Sequence, residues 1–253
     1  MEMNGEYKIN GKNANHNSAS FKKVTHVLFD MDGVILDTEC IYEEIVRYIC
    51  RKYGKEYPRE VRLRVMGTTE QMTSEIVCRE VGLPITPEDF REQMNNKGEE
   101  LFTKVKLMKG AKRLIEHLYK NGIPIALATS SGKPSVLAKT QNYLDLFDLF
   151  SHKVMGSTDP EVKQGKPHPE IYLICAARFA DKPRPEDCLV IEDAPNGVIS
   201  GRAAGMQVVM TPDPSLDRSL TSKATLVVDS LLDFRPELFG LPPFKENGAI
   251  PYY

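Results

Sequence analysis

Two carboxylates one residue apart follow a short apolar run near the start of the chain. Asp30 and Asp32 come directly after residues 24–29, which are typical of a buried strand, and Gly33 then lets the chain turn. Carboxylates this close repel each other unless a cation or a shared proton relieves them. Mg²⁺ binds few carboxylates and fills its shell with water and phosphate oxygens. The spacing therefore favours a magnesium site.

This acid pair has two other interpretations. An EF-hand loop needs glycine at its sixth position, which would put Leu28 at the first ligand position, so that motif is excluded. A turn with solvated acids fits as well, because Asp and Gly are common turn residues. The pair alone leaves the metal site and the solvated turn open.

A second acid pair, Glu192 and Asp193, follows another apolar run at residues 188–191. A helix is predicted to begin at Pro195, so capping of that helix by Asp193 is the simpler alternative. If the two runs are neighbouring strands, the four acids would form an oxygen-rich cage for a divalent cation.

Two further stretches have residue types that bind phosphate. Thr129 and Ser130 follow a predicted strand and precede a predicted helix, where hydroxyls and free N–H groups bind anions. Taken alone, these residues are better explained by plain helix capping. Lys166 stands between Gly165 and Pro167, where a lysine held by the backbone could neutralise a phosphate or a carboxylate. A solvated lysine is the common alternative.

The elements that must position these residues alternate along most of the chain. Strands alternating with helices favour a parallel α/β sheet with helices on both faces. A wholly helical block between residues 39 and 106 interrupts this alternation and is interpreted as an insertion after the first strand. The predicted strands are 24–29, 123–128, 152–155, 188–191, 208–210 and 226–228, and the predicted helices are 41–53, 71–81, 87–105, 109–120, 134–143, 169–179 and 195–204.

Composition excludes several classes of protein. The content is 41% hydrophobic and 27% charged, as in ordinary globular proteins, and the net charge of -2 gives no basis for binding nucleic acid or an anionic membrane. No apolar run reaches the ~18–20 residues that a membrane span needs. The five cysteines are scattered, and the first twenty residues lack an apolar signal core, so we expect a cytoplasmic protein with reduced thiols. Neither GxxxxGK[ST] nor GxGxxG occurs, which argues against NTPases and NAD enzymes.

The four stretches together resemble a known family. In order they are FDMDG, ALATSS, GKPHPE and LVIEDAPNG, the pattern of the haloacid dehalogenase-like phosphatase superfamily, and the resemblance covers about residues 24–243. It implies an α/β fold with a doubly wound, Rossmann-like core and an inserted helical cap. The expected division is a core of 23–39 and 108–243 and a cap of 40–107. Residues 1–22 are expected to be a disordered leader and 244–253 a tail.

The resemblance also implies roles for the acids. Asp30 would attack phosphorus to form an aspartyl-phosphate, and Asp32 would act as general acid and then general base. The cofactor Mg²⁺ would be held by Asp30, by the backbone carbonyl of Asp32 and by Asp193, with Glu192 outside this ligand shell. Thr129 and Ser130 would hold the phosphoryl oxygens while Lys166 stabilises their charge.

The resemblance gives the polar break at residues 66–71 a further role. Gly67 suits a tight turn, and a solvated loop is the simpler interpretation. In capped members a loop of this kind covers the active site, which would bring Thr68, Thr69 and Glu70 to the leaving group.

Smaller segments narrow the expected substrate. Residues 24–26, 64–67, 149–152, 204–210 and 236–242 are similar to a subfamily that hydrolyses pseudouridine 5'-phosphate. A sugar-phosphate or glycerol-phosphate phosphatase, a phosphomutase and a non-catalytic binding protein are the alternatives. The expected partner is a small phosphorylated metabolite, and the expected state is a monomer or weak dimer.

Overall fold

The computed structural model describes residues 21–65 and 68–245. Its centre is a six-stranded sheet of order β5-β4-β1-β6-β7-β8, in which all neighbouring strands run parallel. This confirms the predicted parallel α/β sheet. The strands are β1 His26–Phe29, β4 Ile125–Thr129, β5 Lys153–Met155, β6 Cys188–Glu192, β7 Gln207–Met210 and β8 Leu226–Val227.

The strand order brings the predicted site residues to one edge. The chain builds outward from β1 to β4 and β5 on one side, and to β6, β7 and β8 on the other. The strand order therefore reverses beside β1, and ligands in open α/β sheets bind at such a reversal, beyond the carboxyl ends of the strands. The ends of β1, β4 and β6 carry Asp30, Thr129 and Glu192.

Helices cover both faces of the sheet, because every central strand is apolar on both sides. On one face α5, α6 and α7 pack with a cluster that includes Val27 and Phe29. On the other face α8 and α9 pack with a cluster that includes Leu28 and Val190. The five helices are α5 Ala111–Lys120, α6 Lys133–Thr140, α7 Leu144–Phe147, α8 Glu170–Ala177 and α9 Pro195–Ala203.

The predicted helical insertion is present as a cap with its own apolar cluster, which includes Ile45, Val77 and Phe90. Its helices are α1 Glu39–Lys52, α2 Arg59–Val65, α3 Glu70–Val81 and α4 Pro87–Leu101. Among them α2 was not predicted, because seven residues with three arginines give a weak periodic signal. The residue boundaries proposed for core and cap stay predictions.

A two-stranded ribbon joins the cap to the core, and it too was not predicted. Strands β2 (Leu36–Asp37) and β3 (Lys106–Leu107) pair antiparallel, and the N–H of Met108 donates to the carbonyl of Ile35 at 2.8 Å. Two-residue strands are too short for alternation to reveal. The ribbon therefore holds the two segments that connect core and cap next to each other.

The predicted leader and tail fall mostly outside the described residues, but their inner ends pack on the core. The Phe21 ring lies 4.9 Å from that of Phe239, and the N–H of Lys22 donates to Gln207. At the other end Phe244 stacks against His117 and Arg113. None of the described helices is long and apolar enough to span a membrane.

Candidate active site

Asp30 begins the site at the end of β1, where its N–H donates to the carbonyl of Ile191 on the neighbouring strand at 3.0 Å. Its side chain is buried, and Oδ1 accepts from Lys166 Nζ at 2.5 Å. The same ammonium donates to Glu192 Oε1 at 2.6 Å. Lys166 is therefore a buried partner of two carboxylates and not the solvated lysine that was the alternative.

Glu192 has all its oxygens engaged. Oε1 also accepts from the hydroxyl of Tyr172 at 2.7 Å, while Oε2 accepts the N–H groups of Asp193 and Ala194. Gly197 permits this arrangement, because a Cβ there would overlap the Glu192 carboxylate. Glu192 thus holds Lys166 and leaves no oxygen for a cation, so the predicted cage of four acids does not form. Tyr172 was missed because a tyrosine in an apolar helix looks like core.

Asp193 has a different environment. It is buried, and within the described residues no hydrogen-bond donor lies on its carboxylate. The helix that follows is capped at Ala194 without a side-chain bond, so Asp193 is not the cap that was the alternative. Gly33, at φ +78, allows this carboxylate to lie against the turn after β1, where a Cβ would overlap it.

The charges around Asp30 fit a divalent cation. Asp30, Glu192 and Asp193 are three buried carboxylates, and the ammonium of Lys166 pairs with the first two of them. No three side chains of His, Cys, Asp or Glu in the described ranges form a complete metal cage. Two carboxylates, a backbone carbonyl, waters and a phosphate oxygen are a donor set that suits Mg²⁺ rather than a metal that needs a closed cage.

The same crowding shifts the pKa values. Burial raises the pKa of Asp30 to about 7 against the opposing charge of Lys166. Burial, followed by the charges of Glu192 and Asp30, raises the pKa of Asp193 well above its ordinary value. Burial alone would lower the pKa of Lys166, but its two carboxylate partners outweigh burial and raise it. A cation beside Asp30 and Asp193 would favour their ionised forms.

Asp32 belongs to a second cluster, which is built around Lys139. Its Oδ1 accepts from Thr38 Oγ1 at 2.7 Å and from Lys139 Nζ at 2.8 Å, and its Oδ2 accepts from Ser131 Oγ at 2.9 Å. Burial would raise the pKa of Asp32, but the charge of Lys139 and the hydrogen bonds from Lys139, Thr38 and Ser131 lower it overall. Asp32 was expected from the sequence, and Ser131 lies in the predicted anion-binding stretch, but their contacts with Lys139 and Thr38 were not predicted.

The stretch after β4 does not cap the helix that follows it. Helix α6 begins at Lys133 with Gly132 as its cap, so neither Thr129 nor Ser130 caps it. The Thr129 hydroxyl is buried and accepts the N–H of Ser131 at 3.1 Å, which leaves its own proton for another acceptor. Ser130 lines a cavity between this site and the cap.

A cavity of about 100 Å³ lies between the core site and the cap. Among the residues of the predicted cap loop, Thr68 and Glu70 line it. Thr69 does not line it, and its hydroxyl accepts the N–H of Met72 and caps α3. Gly67 lies outside the described residues. The core side of the cavity is lined by Asp30, Asp32, Ser130, Ser131, Lys166, Glu192, Asp193 and Ala194.

The cap side of this cavity is acidic. Glu39 lines it without a hydrogen bond to any described residue, and burial, with the charge of Asp32, raises its pKa to about 7. Arg62 is a positive group on this side, and it pairs with Glu43 at 3.0 Å and with Asp213 at 3.6 Å. Hydroxyl and N–H donors therefore match this wall better than a second phosphate would.

Known proteins match this chain over most of its length. A model of the haloacid dehalogenase-like hydrolase family matches residues 27–211. A probable pseudouridine-5'-phosphatase of Drosophila melanogaster is 48% identical over 225 residues, which is 89% of this chain and 97% of that protein. The (DL)-glycerol-3-phosphatase 2 of Arabidopsis thaliana is 43% identical over 88% of this chain and 94% of its own.

A solved structure shares the fold. The putative beta-phosphoglucomutase from Thermotoga maritima superposes with a TM-score of 0.64 at 30% identity, covering 85% of this chain and 97% of that one. The similarity spans the sheet and the helical insertion together, because so little of either chain is left out.

Proposed function

The chain belongs to the haloacid dehalogenase-like hydrolase family and is a phosphatase, and from this premise we propose that it hydrolyses a small, hydroxyl-rich phosphomonoester through Asp30, with Mg²⁺ as its cofactor. The substrate we propose is pseudouridine 5'-phosphate. The observation that carries the proposal is the pair of neighbouring aspartates, each on its own buried lysine, at the floor of a cavity between core and cap.

In the first half of the proposed reaction a carboxylate oxygen of Asp30 bonds to phosphorus while the bond from phosphorus to the ester oxygen breaks. The fraction of Asp32 that carries a proton, which Lys139 keeps small by lowering the pKa of Asp32, passes that proton to the ester oxygen. The leaving group therefore departs as a neutral alcohol. The product on the protein is an aspartyl-phosphate.

In the second half a water oxygen bonds to phosphorus, and its proton passes to the Asp32 carboxylate. The bond from phosphorus to Asp30 breaks, which releases phosphate and restores the Asp30 carboxylate. The same two aspartates therefore serve both halves, and all atoms and protons balance.

Charge on the phosphoryl group has three proposed partners in the chain. The Thr129 hydroxyl and the N–H of Ser130 would bind its oxygens at the end of β4, and Lys166 would stabilise the charge that develops between Asp30 and phosphorus. Asp30, Asp193 and the backbone carbonyl of Asp32 would hold Mg²⁺. When bound, this ion supplies positive charge that offsets the repulsion between the Asp30 carboxylate and the substrate phosphate.

The acidic wall of the cavity favours a phosphatase over a phosphomutase. A mutase acting through a bisphosphate must hold a second phosphate on the leaving-group side. There Glu39 pairs with no described residue, and the charge of Arg62 is already shared between Glu43 and Asp213. A neutral group with several donors avoids this repulsion.

Ribose hydroxyls and a base N–H are such donors, and pseudouridine has one more N–H than uridine. The carboxylates of Glu39 and Glu70 offer acceptors for them on the cap side. The matched relatives named for pseudouridine 5'-phosphate and glycerol 3-phosphate also act on neutral, hydroxyl-bearing leaving groups. Glycerol 3-phosphate is therefore the second candidate.

The test is phosphate release with Mg²⁺ from pseudouridine 5'-phosphate, uridine 5'-phosphate, glycerol 3-phosphate and glucose 1,6-bisphosphate. We expect the highest kcat/KM for pseudouridine 5'-phosphate and the lowest for the bisphosphate, with EDTA abolishing and Mg²⁺ restoring turnover. Preference for the bisphosphate, or full turnover in metal-free buffer, would contradict the proposal.

A further inference from the structure

We propose that Lys139 is a positioning residue that aims the Asp32 carboxyl group at the ester oxygen and does so only while the cap is in place. The inference rests on the proposed role of Asp32 as general acid and names the residue that holds that acid. It is carried by the contacts of a lysine that sequence analysis did not single out.

Lys139 has a single orientation. Its side chain, on α6, has 0% exposure, and its ammonium donates to Asp32 Oδ1 at 2.8 Å, to Ser131 Oγ at 2.8 Å and to the Tyr42 hydroxyl. An ammonium has three N–H groups, so each of them has an acceptor. Neither the lysine nor its partners can turn without losing one of these bonds.

These bonds in turn fix Asp32. Its Oδ1 is held by Lys139 and Thr38, and its Oδ2 by Ser131, which is itself held by Lys139. The three side chains of Lys139, Ser131 and Asp32 form a closed ring of hydrogen bonds. Rotation of the carboxyl group away from the cavity would break several of them, and proton transfer depends on such placement within fractions of an ångström.

The cap completes the cluster. Tyr42 belongs to α1 and Phe102 follows α4, and the Lys139 ammonium lies 4.6 Å and 5.2 Å from the centres of their rings. Ser131 and Asp32 belong to the core. If the cap moved away, Lys139 would lose one acceptor and two aromatic faces and would meet water. The placement of Asp32 is thereby coupled to cap closure.

A purely structural role does not explain this lysine well. It lies on the buried face of α6 with Val136 and Thr140, where an apolar side chain would avoid the cost of removing a charge from water. Lys139 is also absent from the described residues that line the cavity, so its ammonium has no surface on the cavity. Lys139 therefore affects the reaction through Asp32.

The test uses three phosphates whose leaving groups need increasing help from a proton: p-nitrophenyl, phenyl and benzyl phosphate. With enzyme in excess and Mg²⁺ present, the first release of each alcohol or phenol reads the step in which Asp32 gives up its proton. In Lys139→Met we expect release from benzyl phosphate to slow by about a hundredfold, while p-nitrophenyl phosphate changes little. Lys133→Met, an exposed lysine at the start of the same helix, is the matched control and should behave as wild type.

Two further variants test whether Lys139 acts through Asp32. Asp32→Asn should show the same steep dependence on the leaving group, and adding Lys139→Met to it should change the dependence no further. Tyr42→Phe keeps the ring but removes one acceptor, so a smaller steepening is expected there even if Lys139→Met folds poorly.

Suppose that the rate of Asp32→Asn depends steeply on the leaving group, as expected. A uniform loss across the three phosphates in Lys139→Met would then overturn the role of Lys139 but not that of Asp32. A wild-type dependence on the leaving group in both Lys139→Met and Tyr42→Phe would do the same. A shallow dependence in Asp32→Asn would instead overturn the proposed acid role of Asp32, and the inference with it.

Discussion

Two lysine–aspartate pairs lie side by side in this active site, and they differ in what encloses them. The pair of Lys166 and Asp30 is made entirely by the core, between the ends of β1 and β6, and Glu192 holds the lysine from behind. The pair of Lys139 and Asp32 is half enclosed by the cap, through Tyr42 and Phe102. One pair is set by the sheet, and the other also requires the inserted helices.

This difference separates two tasks in the proposed reaction. The core pair faces the phosphoryl group, which is the same in every substrate, so it should act alike on all of them. The cap-enclosed pair faces the leaving group, which differs between substrates. Placing the acid under the cap links proton delivery to the part of the molecule that meets the leaving group.

The largest expected effect breaks the core pair at its nucleophile. Asp30→Asn keeps the size of the side chain but removes the attacking oxygen's charge, so kcat should fall by several orders of magnitude for every substrate. Steady-state phosphate release and a thermal melt together measure this. Near-normal turnover in a folded Asp30→Asn protein would refute the assignment.

A smaller but still large loss is expected from the other half of the core pair. In Lys166→Met the carboxylates of Asp30 and Glu192 lose the ammonium that they share, so kcat should fall about 10²–10³-fold. The protein should also lose about 3–5 kcal/mol of unfolding free energy. Lys163→Met, an exposed neighbour, is the control.

The loss of kcat in Lys166→Met, measured on different substrates, tests whether the two lysine–aspartate pairs act on different parts of the substrate. We expect it to be equal for p-nitrophenyl and benzyl phosphate, in contrast to Lys139→Met. A loss of kcat confined to benzyl phosphate would mean that Lys166 does not act on the phosphoryl group alone.

A change in the cap loop should affect substrates unequally. Glu70 begins α3 and lines the cavity on the cap side. Glu70→Ala should lower kcat/KM for pseudouridine 5'-phosphate more than for uridine 5'-phosphate, by about 1–3 kcal/mol of lost discrimination. The small substrate p-nitrophenyl phosphate should lose little. A uniform drop would indicate a role in closure instead, and no change would support the solvated-loop alternative.

The smallest expected effect is a pH dependence of binding. Because the pKa of Glu39 is raised to about 7, its carboxylate is ionised above that pH and neutral below it. KM for a hydroxyl-rich phosphate should therefore rise as the pH falls from about 8 to about 6, since the neutral acid is the weaker acceptor. Glu39→Gln should remove this dependence. Dividing this KM by the KM for p-nitrophenyl phosphate corrects for ionisation of the phosphate group. If this ratio of KM values did not change with pH in the wild-type protein, the role of Glu39 as an acceptor would be contradicted.

The comparison of the two pairs also explains what the sequence could predict. The alternation of elements predicted the parallel sheet and the helical insertion, and the acids at two strand ends pointed to Asp30 and Asp193. Lys166 belongs to a short, recognisable motif, although its partners could not be derived from spacing. These residues are set by local chain geometry at the ends of strands, which sequence patterns reflect well.

Lys139 and Tyr172 lie in the middle of helices and act through contacts distant in sequence. One signal could have found Lys139: it is a lysine on the helix face shared by Val136 and Thr140, three residues before and one after. Tyr172 gave no such signal, because a buried tyrosine usually belongs to the core. The ribbon of β2 and β3 is set by tertiary pairing and left no periodic trace.

The most direct test of the central claim is to trap the covalent intermediate on Asp30. Enzyme in excess is mixed with Mg²⁺ and pseudouridine 5'-phosphate or p-nitrophenyl phosphate, quenched in acid within milliseconds, digested and examined by mass spectrometry. We predict a gain of one phosphoryl group on the peptide that contains Asp30, at the residue itself, and no such gain in Asp30→Asn. Full release of the leaving group with no phosphorylated peptide at any quench time, or phosphorylation at another residue, would contradict the account.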